Sequence, residues 1–455
     1  MDIDRRRMIG AATLAAGAMA VASEPARAAP LTSTLGRDAT QYGVRPGSAE
    51  DQTRNLQRAI DDAARAGMPL ALPPGVYRSG ALKLPSGAQL IGTRGATTLL
   101  FNRSGPSLLS SEGANAIGLT GLTLDGDNAT LPERGALVHC RDGRDLRITD
   151  CIVTNSGGSG ILVERIAGAI NGNTLTNTKI TAIASFDATG LVLSQNTIVG
   201  ASHNGIEILR TTIGDDGTLV IDNRVEDIKA GPGGSGQYGN AINAFRAGNV
   251  IVRGNRIRNC DYSAVRGNSA SNIHITGNSV SAVREVALYS EFAFEGAVIA
   301  NNIVDGAAVG VSVCNFNEGG RLSVVQGNII RNLIPKRPIG TAPDDDAGIG
   351  IYVEADTSVT GNVIENAPAF GIMAGWGKYL RDVAISGNVI RNAFIGIGVS
   401  IVPGAGTALL NANMISGSKR GAVVGLDHAK AMTPDIAADG AARYQQIALS
   451  ANVVR

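Results

Sequence analysis

Aromatic side chains are scarce in this chain: one Trp, eight Tyr and eight Phe, 4% of 455 residues. A core of interlocking rings is excluded, so burial must rest on aliphatic side chains. Cysteine is equally thin. Cys140, Cys151, Cys260 and Cys314 contain no Cys-x-x-Cys and the four His show no paired spacing, so structural zinc is not indicated. Cys140 falls on an inward position and reads as a small buried hydrophobe; a disulfide to Cys151 is disfavoured because the two lie half a repeat apart, on different faces. Excess charge is missing too. The net charge is +1 with Lys and Arg scattered, without the basic footprint of a nucleic-acid binder, and neither DNA nor RNA is expected as a partner. The one long apolar run, Met8 to Ala22, is too short to cross a bilayer, so no membrane span is expected in the mature chain.

What is present is repetition. An Asn, one residue and then a branched aliphatic recur at Asn173, Asn196, Asn223, Asn255, Asn278, Asn302, Asn328, Asn362, Asn388, Asn413 and Asn452, with Asp150 read as the preceding member. The commonest step is 23 residues, and longer steps read as that unit plus a loop. A second phrase, such as Gly160-Ile161-Leu162-Val163 or Gly350-Ile351-Tyr352-Val353, runs half a period out of phase. Both are short, β-branched and alternating, and Gly, Asn, Asp or Ser separate them, the pattern of strands joined by tight turns. The unit reads as strand, turn, strand, turn. It is too short for a crossover helix and lacks the three-and-four spacing of helical repeats, so an all-β, right-handed parallel β-helix is predicted. Stacking would place the Asn residues in one column inside a turn.

Residues 1–28 read as an export signal. Arg5-Arg6-Arg7 precedes the apolar run, and Ala26-Arg27-Ala28 offers small residues to a signal peptidase. Asp4-Arg5-Arg6-Arg7-Met8-Ile9 resembles the twin-arginine motif, which implies a periplasmic or secreted protein. Residues 29–455 then form one domain, with 40–92 as N-terminal cap and first rungs. Within that cap Thr53, Leu56, Ala59, Ile60 and Ala63 recur at helical spacing between Asp51, the predicted N-cap, and Gly67. A helix there would cover the open end of the tube.

Asp51-Gln52-Thr53, Leu56-Gln57-Arg58-Ala59-Ile60, Leu72-Pro73-Pro74-Gly75-Val76-Tyr77 and Leu84-Pro85-Ser86-Gly87-Ala88-Gln89-Leu90-Ile91-Gly92 closely resemble the N-terminal block of the pectin-lyase-like superfamily. That group includes pectate lyases, polygalacturonases and alginate epimerases. With the leader and the Gly-Asn-x-Ile repeats, the chain also resembles a narrower family of twin-arginine-exported β-helix repeat proteins. The resemblance implies the fold over nearly the whole mature chain and a polysaccharide partner. Motifs for the chemistry are missing: Gly214-Asp215-Asp216 is followed by no Gly-His-Gly, and Leu426-Asp427-His428 lacks the epimerase Asp-Pro-His-Asp.

The chain's own pattern supplies a candidate site. In Gly-Ile-x-Val strands the residue between the aliphatics points outward, which aligns His139, Leu162, Ala184, Glu207, Asn243, Arg266, Tyr289, Ser312, Tyr352 and Met373; the next outward position adds Glu164, Asn268, Glu291 and Glu354. Insertions at 229–239 and 333–347 leave from the same corner and would wall this strip. Tyr can stack on sugar faces, Asn and Glu can bond hydroxyls, and Arg pairs with a uronate carboxylate in a fork. Glu207, Arg266, Tyr289 and Glu291 are the catalytic candidates; His139, Asn243, Asn268, Ser312, Tyr352 and Glu354 are the substrate-binding ones. No metal ligand is assigned, although Asp344-Asp345-Asp346 offers the hard oxygens that Ca2+ takes. Two functions fit: a lyase, epimerase or glycoside hydrolase acting on an acidic, uronate-containing polysaccharide, or a non-catalytic carbohydrate-binding or envelope-structural protein.

Overall fold

Alternating aliphatic and polar residues in segments of three to six cannot bury both faces, and here each segment hydrogen-bonds to its counterpart one repeat away. A computed structural model describes residues 36–132, 134–231, 233–341, 345–437 and 443–455. The leader, its cleavage site and Asp344 lie outside the described residues. The chain winds as the right-handed parallel β-helix predicted from its repeats. Fourteen levels stack in register from Lys83 to Val424. Among the described strands only Lys430–Asp435, folded back on Gly421–Asp427, runs antiparallel.

Each turn carries three strands rather than two. One level comprises Ile242–Gly248, Ile251–Arg253 and Arg256–Cys260. The missed strand, Ile251–Arg253 here, is three residues long and buries one aliphatic, Val252, too little periodicity to stand out. Inside, like residues stack on like. Ile206, Ile242, Val265, Leu288, Val311 and Ile351 form one buried column, each contributing on the order of 1.5–3 kcal/mol by leaving water.

The Asn residues form the expected ladder. Asn302 donates from Nδ2 to Asn328 Oδ1 (3.0 Å) and to the Ile275 carbonyl (2.9 Å), while its Oδ1 accepts from the backbone N–H and Nδ2 of Asn278. The same bonds run from Asn173 to Asn452. The residue before each Asn is left-handed, as at Gln195, Gly254, Asn301 and Ala412, which is why Gly, Asn and Asp favour that place. Asp150 is a correction. It occupies this left-handed position (φ 55°), and Cys151 fills the ladder slot, its N–H donating to Asn173 Oδ1. The preceding repeat is one residue shorter than the Asn spacing suggests.

The capping helix is Thr53–Arg65, burying Leu56, Ala59, Ile60 and Ala63 against the first level. Its N-cap is Gln52, not Asp51: the Gln52 side chain turns back to the Arg45 backbone, and Asp51 accepts from the Thr53 N–H. All four cysteines are buried free thiols.

Candidate functional site

The outward column is assembled as predicted. Glu207, Asn243, Arg266, Tyr289, Ser312, Tyr352 and Met373 are register partners on successive levels, and Asn268 pairs with Glu291 beside them. It is not one open strip. The inserted loops fold over its middle and divide it into three zones.

At the N-terminal end His139 is half-buried, Nε2 2.7 Å from Glu164 Oε1, above a groove that also holds Lys83, Ser110 and Arg141. Glu207, Asn243, Arg266, Asn268 and Glu291 form the middle, and here the expectation fails. Arg266 is 6% exposed and Glu291 2%. Arg266 Nε and Nη2 bind Glu291 at 2.6 and 2.9 Å, and its Nη1 lies 3.3 Å from Glu285. The fork expected to receive a substrate carboxylate is filled by the protein's own carboxylates. Asn268 Nδ2 donates to Glu291 (3.0 Å), and Arg266 lies 4.8 Å above the Tyr289 ring. Ser235 and Gly236 of the first loop cover this cluster, the Ser235 hydroxyl bonding Glu285, and the Ser235 N–H donates to Gly340 of the second. Neither Arg266 nor Glu291 can touch a substrate in this arrangement. Glu207 is held by Asn204; burial pushes its carboxyl up, opposed by the bond from Asn204.

The third zone is open. A cleft of about 390 Å³ lies over Tyr289, Ser312, Tyr352 and Met373, walled by Asn315 and Asn317, by Arg337, Asp345 and Asp346, and by Trp376 and Tyr379. Glu354 is only 5% exposed but, unlike Arg266 and Glu291, lines this cleft, accepting from the Tyr352 hydroxyl and from the Phe316 N–H (2.6 Å). Burial pushes the Glu354 carboxyl above its ordinary value against those donors, and lifts the Tyr352 hydroxyl well above its own. Burial also raises Asp346, whose Oδ2 has no partner. Arg337 lies 3.6 Å from Glu285 and 3.5 Å from Asp345, linking the cleft wall to the roofed cluster.

Four sequence candidates, Tyr289, Ser312, Tyr352 and Glu354, therefore converge on the cleft. Arg337, Trp376 and Tyr379 were missed. They lie in loops outside the repeat, so no register placed them; the only Trp of an aromatic-poor chain was itself a signal. Among the described residues no group of three His, Cys, Asp or Glu is clustered to hold a metal ion. No described helix is long and apolar enough to cross a membrane.

The profile of the right-handed beta helix region family matches residues 159–329 and, in an overlapping alignment, 212–381. No curated protein matches the chain. Among solved structures, a PL6 alginate lyase in complex with a trisaccharide is 12% identical, with TM-score 0.54 over 92% of this chain and 95% of that one. The N-terminal fragment of gene product 12 of bacteriophage phi29 is 16% identical, with TM-score 0.51 over 93% and 72%. The mannuronan C-5 epimerase A-module of Azotobacter vinelandii is 16% identical, with TM-score 0.45 over 92% and 99%. At these identities the likeness is one of fold. The protein is thus a right-handed parallel β-helix protein with a polar and aromatic cleft on its outer face.

Proposed function

We propose that this is an exported protein, sent out by the twin-arginine route, whose cleft binds an acidic polysaccharide and acts on it, with Glu354 moving the proton. One observation carries the reading: Glu354, its carboxyl raised by burial and bonded to the Tyr352 hydroxyl, sits in a cleft bordered by Trp376, Tyr379 and Tyr289. A carboxyl raised by burial holds its proton more tightly than a free one, which suits it to donate to a departing glycosidic oxygen. Trp376 and Tyr379 offer ring faces to sugars, Ser312 and Asn315 offer bonds to hydroxyls, and Arg337 supplies positive charge for a uronate carboxylate. The alginate lyase neighbour, whose structure holds a trisaccharide, supports a sugar ligand on this scaffold. In a β-elimination the C5 proton would pass to a carboxylate of the cleft wall, where Asp346 Oδ2 has no partner; Glu354 would give its own proton to the departing 4-linked oxygen, and a C4=C5 double bond would form.

A second reading, a non-catalytic binding or envelope-structural protein, is favoured by Arg266, whose charge is fully spent inside the molecule. One screen separates the two. The mature protein is incubated with pectate, alginate and glucuronan-like polymers, with and without Ca2+, and ultraviolet absorbance and reducing ends are followed. The enzyme reading expects product on one polymer and a loss of about 10²-fold or more in Glu354→Gln with binding kept. Binding without product on every polymer supports the second reading, and Glu354→Gln at full activity removes Glu354 from the mechanism.

A further inference from the structure

The first residue after each ladder Asn points outward and forms a column on a different sheet from the one bearing the cleft. On five levels it is polar: Thr174, Thr197, Arg224, Arg256 and Ser279. From the next level onward it is aliphatic without a break: Ile303, Ile329, Val363, Val389, Met414 and Val453, each 39–45% exposed. The fold does not require this, since Thr, Arg and Ser serve the same place earlier in the same tube. Six exposed aliphatics at about 4.8 Å per level make a ridge about 24 Å long. Such a continuous apolar surface marks an interface.

The flanking columns say what covers it. Two residues further along each strand stand Asp305, Arg331, Glu365, Arg391, Ser416 and Arg455. On the other side the turn residues Gly327, Gly361, Gly387 and Ala412 are small and allow close approach. We propose that the ridge packs against the same ridge of a second copy of this chain, antiparallel, about a two-fold axis passing between the Val363 and Val389 levels.

That axis places every aliphatic level on an aliphatic level of the copy. Glu365 then faces the copy's Arg391, Asp305 faces its Arg455, and Arg331 faces its Ser416. Sliding the copy by one level in either direction puts like charges together: Glu365 on Glu365 with Arg331 on Arg391, or Arg391 on Arg391 with Arg331 on Arg455. The charged column therefore fixes one register. Within the chain Arg331 already pairs with Asp305 (2.9 Å) and Arg391 with Glu365 (3.4 Å), and these exposed pairs can be shared across the axis. A net charge of +1 leaves little repulsion between copies. The ridge is narrower than a standard interface of about 800 Å² per partner, so the dimer is reversible.

Sedimentation velocity of the mature chain, from micromolar to near-millimolar, tests this. The proposal expects a concentration-dependent dimer. Val363→Glu with Val389→Glu should be monomeric throughout while keeping the far-ultraviolet spectrum and thermal midpoint, because Arg224 and Arg256 show that the position tolerates charge. Arg391→Glu should weaken the dimer at least tenfold, and adding Glu365→Arg should restore it. A wild-type chain monomeric at every concentration overturns the proposal. So does a dimer indifferent to the Val substitutions, or a monomer that floats with phosphatidylglycerol vesicles through the same residues.

Discussion

Asn302 shows how much one residue type contributes to this winding. Its carboxamide makes two donor and two acceptor bonds, all buried, linking three levels. Asn302→Ala leaves the Asn278 donors and the Ile275 carbonyl without partners, and a loss of about 2–4 kcal/mol is expected in urea unfolding. Glu207 gives a pH-dependent case. Its carboxyl is raised in the folded chain, so the folded state holds that proton more tightly than the unfolded one. This contribution to stability is complete below the unfolded value of about 4.3 and is lost as pH rises through the raised folded value. Glu207→Gln should remove that part of the decline: urea midpoints across about pH 4 to 8 should fall less steeply with rising pH than those of the parent. An unchanged slope would refute the assignment.

At the scale of elements, the loops 229–239 and 333–347 decide which of the predicted site residues are available. Two strand positions could be read as outward because alternation fixes direction, and the register of Asn243, Arg266, Tyr289 and Ser312 was legible from their equal spacing. Direction is not exposure. Nothing in a 23-residue period states that Ser235 will reach Glu285 or that Tyr262 will donate to the Ile339 carbonyl (3.0 Å), because each contact spans dozens of residues and involves chain outside the repeat. The same holds for Trp376 and Tyr379. The buried cluster has its own prediction. Arg266→Met strands Glu285 and Glu291 without their main cation and should cost about 3–5 kcal/mol in unfolding free energy. Because Ser235 also hydrogen-bonds this cluster, proteolysis within 229–239 should accelerate in the same variant.

Over the whole molecule, stability is a sum of similar levels and the contacts between neighbours, so the ends matter more than in a globular domain. The helix Thr53–Arg65 closes one end with Leu56 and Ile60, both 1% exposed. Leu56→Asp should uncover that end and its strand edges, and aggregation by light scattering below the parent's unfolding temperature is the expected result. The winding itself was legible because repetition multiplies a weak local signal eleven times. The three-residue strands were not, since each buries a single aliphatic, and the displaced Asp150 was not, since it turns on a one-residue offset that an Asn count cannot detect.

The separation of wall from covering has an evolutionary consequence. The amide ladder and the aliphatic columns hold the tube together level by level, and among the described residues of the two inserted loops only Leu333, at the start of the second, joins that core. Those loops can therefore lengthen, shorten or change sequence while the surface behind them keeps its spacing. Selection can reshape what the recess admits without re-solving how the chain folds.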